Sequence, residues 1–190
     1  MNDIEVEIRS FLDEDQYRRL LIFFNQEAKL AKEDNQVTHY FDAPKDLRIQ
    51  KNSFGAKIWL KEGRLHDDAR REIEIRFADK DFEKMESLLI SLGYPVKVKW
   101  HRHRLQYDWF GVKACLDQTR GYGRVLELEM LTDEAGRVAT LLELKNRLAE
   151  LDIPETPKEV FENRYRDYMA RWQELTAPVA TAEPIQNRRK

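Results

Sequence analysis

Ile4-Glu5-Val6-Glu7-Ile8-Arg9 alternates apolar and ionic side chains without a break. Successive side chains of a strand point to opposite faces, so Ile4, Val6 and Ile8 share one face and Glu5, Glu7 and Arg9 the other. Taken alone, such a run describes an exposed strand with cross-strand ion pairs. Six further stretches repeat it. Leu47 and Ile49 alternate with Arg48 and Gln50, and Ala56, Ile58 and Leu60 with Lys57, Trp59 and Lys61. Ile73, Ile75 and Phe77 oppose Arg70, Glu72, Glu74 and Arg76. Arg102 and Arg104 share a face, Lys113 and Asp117 another, and Leu126, Leu128 and Met130 back Glu127 and Glu129. Turns are expected at Glu62-Gly63, Phe110-Gly111 and Gly121-Tyr122-Gly123.

Four amphipathic helices flank these strands. The first starts near Asp13, with Gln16 completing a capping box and Tyr17, Leu20, Leu21, Phe24 and Ala28 on one face. The second begins at Asp79, carries Phe82, Met85, Leu88, Leu89 and Leu92, and stops at Gly93. The third spans about 133–151, with Val138, Leu141, Leu142 and Leu148 as its stripe. The fourth opens on Thr156-Pro157-Lys158-Glu159, read as N-cap, N1 proline and capping glutamate, and runs through Tyr165, Tyr168 and Trp172. Residues 1–175 read as one domain, and 176–190 as a disordered tail too poor in apolar residues to pack. At least seven strands therefore turn apolar residues toward helices and ionic residues the other way. An open antiparallel sheet with a solvated ionic face fits this pattern. So does an α+β barrel with helices outside and an ionic interior, which would remove the edge strands.

Composition narrows the function. Of 190 residues, 36% are charged, yet the net charge is only −2, which argues against bulk attraction to nucleic acid or anionic lipid. The single Cys115 has no disulfide partner and no base beside it. The first residues are polar and no long apolar run exists, so a cytoplasmic protein without a membrane partner is expected.

The two-residue spacings put Glu5 with Glu7, and Glu127 with Glu129, on common faces. If the first and last strands met, these carboxylates and Asp117 would crowd together and need a shared cation. Mg²⁺ or Mn²⁺ suits an all-oxygen donor set, whereas His39, His66, His101 and His103 show no metal spacing. Arg9, Arg48, Lys57, Lys61, Arg70, Arg102, Arg104 and Lys113 fall on the same ionic face, where an anion between them would relieve their repulsion. A polyphosphate carrying a metal ion satisfies both sets.

These residues resemble the CYTH domain, or triphosphate tunnel metalloenzyme, superfamily. Glu5-Val6-Glu7-Ile8-Arg9 is similar to its ExExK signature. Thr38 to Asp42, Leu47-Arg48-Ile49, Ile58 to Lys61 and Arg70 to Glu74 resemble its next blocks in order. Arg104 to Tyr107, Cys115-Leu116-Asp117, Gly121 to Gly123 and Leu126 to Glu129 resemble its later ones. The resemblance implies an eight-stranded antiparallel β-barrel forming a tunnel. It also implies a substrate bearing a triphosphate: inorganic triphosphate, thiamine triphosphate, ATP or an RNA 5′ end. By resemblance Glu5, Glu7, Asp117, Glu127 and Glu129 are expected metal ligands, and Glu7, Arg70 and Glu129 catalytic. The bases above would grip phosphate, and Gln50, Glu72 and Glu74 would also line the tunnel. Arg9 stands where the signature has lysine, and Gln50 where the family has an arginine. Expected activities are metal-dependent triphosphate hydrolysis, cyclic AMP formation from ATP, or polyphosphate binding without turnover, by a monomer or homodimer.

Overall fold

The computed structural model describes residues 4–61 and 72–177. The chain runs β1 (Ile4–Leu12), α1 (Glu14–Glu27), β2 (Lys29–Phe41), β3 (Asp46–Asn52), β4 (Gly55–Lys61) and β5 (Glu72–Phe77). It continues with α2 (Phe82–Ser91), β6 (Val96–Trp109), β7 (Val112–Thr119), β8 (Gly123–Thr132), α3 (Arg137–Glu150) and α4 (Lys158–Leu175). All eight strands join one antiparallel sheet in the order β1-β8-β7-β6-β2-β3-β4-β5. The first strand pairs with the last, setting Glu7 opposite Glu129 and Arg9 opposite Glu127. Among the described residues no ladder joins β1 to β5, so hydrogen bonds do not close the expected ring.

Directly opposed residues share a face, so register carries parity across the sheet. Glu5, Glu7, Arg9, Glu127, Glu129, Lys113, Asp117, Arg102 and Arg104 therefore lie on one face, together with Gln36, Arg48, Gln50, Lys57 and Glu74. Register shifts in the β2–β6 ladder fall at Leu30/Lys32 and Tyr40/Phe41, leaving the run from Trp100 to Gln106 regular. Strand β2 is not among the strands read from alternation. Its stretch from Lys32 to Gln36 is polar on both faces, and pairing with β6 and β3 makes it a strand.

The opposite face carries the main cores. Val6, Ile8, Leu116, Leu126 and Leu128 pack beneath Leu20 and Phe24 of α1 and Leu144 and Leu148 of α3. Leu20 and Phe24 are wholly buried, each contributing roughly 1.5–3 kcal/mol. Asp13 and Gln16 form the expected capping box. Ile49 and Ala56 pack under Phe82 and Leu89 of α2, which follows a 3₁₀ turn at Asp79–Asp81 and so starts later than predicted.

Several apolar assignments change. Helix α3 buries Thr140, Leu144 and Leu148, while Val138, Leu141 and Leu142 are exposed. Its leucines form two overlapping stripes, and only the one at intervals of four meets the sheet. Ile73 and Ile75 on edge strand β5 are also exposed, and only Phe77 of that strand's apolar face packs against the α2 cluster. Helix α4 has Pro157 as its N-cap, with no side-chain bond there. Thr156 instead accepts from the Phe11 N–H at 2.9 Å, and its own N–H donates to Ser10 Oγ, tying the approach to α4 onto β1.

Helix α4 also differs from the other three in which face it covers. Its Phe161, Tyr165, Tyr168, Met169 and Trp172 pack with Phe11, Tyr40, Val98, Trp100 and Val125. Those strand residues lie on the ionic face. An aromatic helix settles there because that end of the face is aromatic and aliphatic, not ionic. Among the described residues no helix is long and apolar enough to cross a membrane. The expected disordered tail lies outside the described residues from 178 onward.

Candidate active site

The carboxylates meet in pairs across the β1–β8 ladder. Glu5 lies beside Glu129, and Glu7 beside Glu127, on the same face. Burial, reinforced by the negative charge of Glu127, pushes the Glu7 pKa up to about 7. Burial and then Glu129 raise Glu5 as well. Burial alone would also raise Glu127, but Arg104 and then its contact with Glu7 hold it below the usual carboxylate range. Among the described residues no three acidic, histidine or cysteine side chains form a ready-made cation cage.

The bases are held by these acids and their neighbours. Arg104 donates from Nε to Asp117 Oδ1 at 2.7 Å and from Nη2 to Asp117 Oδ2 at 2.6 Å. Its Nη2 also reaches Glu127 Oε2 at 2.5 Å. Arg102 bridges Gln36 Oε1 and Asp117 Oδ2, and Lys113 Nζ lies 2.6 Å from Glu129 Oε2. Arg9 approaches Glu7 at 3.6 Å and sits 5.3 Å from the Phe161 ring of α4.

On the far side of the sheet, Arg48 clamps Asp46 with two bonds of 2.6 and 2.5 Å and stacks over Tyr40. Lys57 pairs with Glu74 at 2.7 Å. Between Arg48 and Lys57 lies Trp59, buried, with both cations against its ring and no acceptor for its indole N–H. Gln50, in the arginine position of the related signature, donates to Thr38 Oγ1 at 2.9 Å.

The predicted residues thus divide into an acidic half on β1, β8 and β7 and a basic half on β3 and β4, joined through Arg102 and Arg104 of β6. Arg70 lies outside the described residues, as do the side chains of Lys61 and Glu72. Sequence reasoning missed Gln36, Thr38, Asp46 and buried Asp34. Asp34 accepts from Gln36, Asn52 and the Ser53 N–H, which secures the β3–β4 turn. The β2 register places Asp34, Gln36 and Thr38 on the ionic face, and Asp46 joins them by its parity with Arg48 on β3. His39 lies on the other face beneath α2, near Glu86, its pKa depressed to about 4 by burial and then by Lys99. Cys115 is buried, which pushes its thiol up to about 12 and leaves it unreactive.

Comparison with known proteins follows the same lines. The profile of the CYTH domain matches residues 3–160. No curated protein matches the chain. A conserved hypothetical protein from Pyrococcus furiosus is 23% identical, with a TM-score of 0.62 over 80% of this chain and 92% of its own. A Hippeastrum protein, described as a candidate adenylyl cyclase with a dominant triphosphatase activity, is 20% identical. It has a TM-score of 0.61 over 82% of this chain and 90% of its own. A protein from Vibrio parahaemolyticus, described as a candidate adenylate cyclase, is 19% identical, with a TM-score of 0.59 over 84% and 98%. At these identities the likeness is one of fold. CYTH proteins are in general divalent-metal-dependent enzymes, triphosphatases or cyclases. With its profile matched over most of its length, the chain belongs to the CYTH domain family.

Proposed function

We propose that this protein hydrolyses a triphosphate-bearing small molecule, inorganic triphosphate or a nucleoside or thiamine triphosphate, with Mg²⁺ or Mn²⁺ as cofactor. The observation that carries this reading is the meeting of Glu5, Glu7, Glu127 and Glu129 on one face of the β1–β8 ladder. Burial and mutual repulsion raise the Glu5 and Glu7 carboxyls, and an oxygen-liganded divalent cation is what such a donor set fits. Glu5, Glu7, Glu127 and Glu129 would hold the ion, which when bound supplies charge neutralisation to phosphate oxygens.

The remaining residues act on the phosphates. Arg104 and Lys113 give up Glu127 and Glu129 to the cation and take phosphate oxygens in their place, and Arg102 joins them. Arg48 and Lys57 grip from the basic half, with Lys61, Arg70 and Arg9 completing the set. Water adds to the terminal phosphorus, the bond to the bridging oxygen breaks, and a carboxylate accepts the water's proton. We assign that role to Glu7, which the bound cation would keep ionised. Asp117 aligns Arg104 and Arg102 from behind.

The test is incubation with inorganic triphosphate, ATP or thiamine triphosphate plus Mg²⁺ or Mn²⁺. Phosphate release that Glu7→Gln abolishes supports hydrolysis. Cyclic AMP from ATP would replace it with cyclisation, and tight binding without turnover would replace it with a binding role.

A further inference from the structure

The turn between β7 and β8 carries a second cationic cleft, apart from the paired acids and bases of the ionic face. It encloses about 390 Å³ and is lined by Arg120, Arg124 and Arg164 around Gly121-Tyr122-Gly123, with Gln118 and Thr119 completing the wall. No carboxylate is among the lining residues.

The three arginines come from three elements and are incompletely neutralised. Arg164 of α4 donates to the Tyr122 carbonyl at 3.3 Å and lies over the Phe11 ring. Arg120 donates to the Ala177 carbonyl at 2.8 Å. Both therefore satisfy neutral acceptors and keep their charge. Arg124 alone has a carboxylate partner, Glu14 of α1, and its buried Nε has no acceptor. On the ionic face, by contrast, Arg102, Arg104, Arg48, Lys57 and Lys113 each sit on a carboxylate within 3.2 Å.

The turn is shaped to keep the cleft open. Gly123 has a φ of +129°, which L side chains rarely adopt, and a Cβ there would make a tight 3.3 Å contact with Arg164 Nη1. Gly121, at φ +75°, is pressed against Leu175, where a Cβ would lie 2.6 Å from the Leu175 Cβ. The turn is thereby locked to the end of α4, and Arg164 and Arg120 are held on either side of it.

We propose that this cleft binds a phosphoryl oxyanion between the Arg120 and Arg164 guanidinium groups, away from the acid-paired residues of the ionic face. A tetrahedral anion with several acceptor oxygens suits two guanidinium groups that keep their charge and satisfy only backbone carbonyls. The inference does not depend on the hydrolytic reading.

The experiment is a titration of isotope-labelled full-length protein with inorganic phosphate at constant ionic strength, following the Gly121 and Gly123 amide resonances. Both are expected to move saturably with phosphate. The apparent affinity is expected to fall roughly three- to tenfold in Arg120→Gln, and more in Arg164→Gln. Lys57→Gln, on the ionic face, should leave the response unchanged. Arg120 is exposed and bonds one carbonyl, so its variant remains informative if Arg164→Gln fails to fold. Equal shifts with chloride or acetate, absence of saturation, or an unchanged response in Arg120→Gln would each overturn the proposal. Loss of the glycine shifts in Lys57→Gln would overturn it too, by assigning the anion to the ionic face.

Discussion

Arg104 and Asp117 face each other across the β6–β7 ladder with two parallel hydrogen bonds, and the same guanidinium also reaches Glu127. All three side chains are largely buried, at 15%, 6% and 13% exposure. Removing the arginine strands two carboxylates in a poorly solvated place. Arg104→Ala is expected to cost about 3–5 kcal/mol in chemical denaturation. Arg104→Lys keeps the charge but loses the fork, and should cost less while still lowering phosphate release. A wild-type denaturation midpoint for Arg104→Ala would refute the assignment.

Glu7 makes stability depend on pH in a defined direction. The folded chain keeps its proton up to about pH 7, whereas the unfolded chain releases it near the ordinary value of 4.5. The native state therefore binds more protons between those values, and the stabilisation present below pH 4.5 is lost as pH rises to 7. Melting temperature without divalent cations should fall by a few degrees over this window. Glu7→Gln should flatten the profile. Mg²⁺ or Mn²⁺ should recover the loss at pH 7.5 but add little at pH 5, as read by thermal melts.

Gln50 occupies a face between Arg48 on its own strand and Lys57 opposite, bonded to Thr38. Gln50→Arg adds a third cation there and breaks that bond. The variant should bind inorganic triphosphate roughly tenfold more tightly and be less stable without it. Calorimetric titration and denaturation measure the two effects, and weaker binding would count against Gln50 facing the phosphates.

Tyr168 anchors α4, wholly buried and donating its hydroxyl to the Lys99 carbonyl at 2.7 Å. Tyr168→Phe should cost about 1 kcal/mol and Tyr168→Ala about 3–5 kcal/mol in unfolding experiments. If α4 were a loosely attached appendage, neither would shift the midpoint.

Much of this architecture was legible because Glu5, Glu7, Glu127 and Glu129 alternate with residues that have to be buried. Parity therefore assigned their face before any contact was known, and their meeting across β1 and β8 followed from antiparallel pairing of the termini of the sheet. Strand β2 escaped because Lys32 to Gln36 is polar on both sides, so only its partners define it. With β2 went Asp34, Gln36 and Thr38. The position of α4 escaped for a different reason. Its aromatic stripe declares that it packs, but not on which face, and the complementary surface is scattered over Phe11, Tyr40, Val98, Trp100 and Val125. Which carboxylate each base contacts depends on stagger between neighbouring strands, a quantity that alternation within one strand does not carry.

The pairing of Arg104, Lys113, Arg48 and Lys57 with carboxylates has a consequence for recognition. A lone anion arriving at this face has to pull cations off their partners and leave bare acids behind, and a lone metal ion faces the mirror-image problem. Each ligand clears the way for the other. By thermodynamic reciprocity, the factor by which the metal tightens the anion equals the factor by which the anion tightens the metal. Under the proposed function, the face would act as a coincidence detector, quiet toward free phosphate compounds and free cations and responsive to the two together.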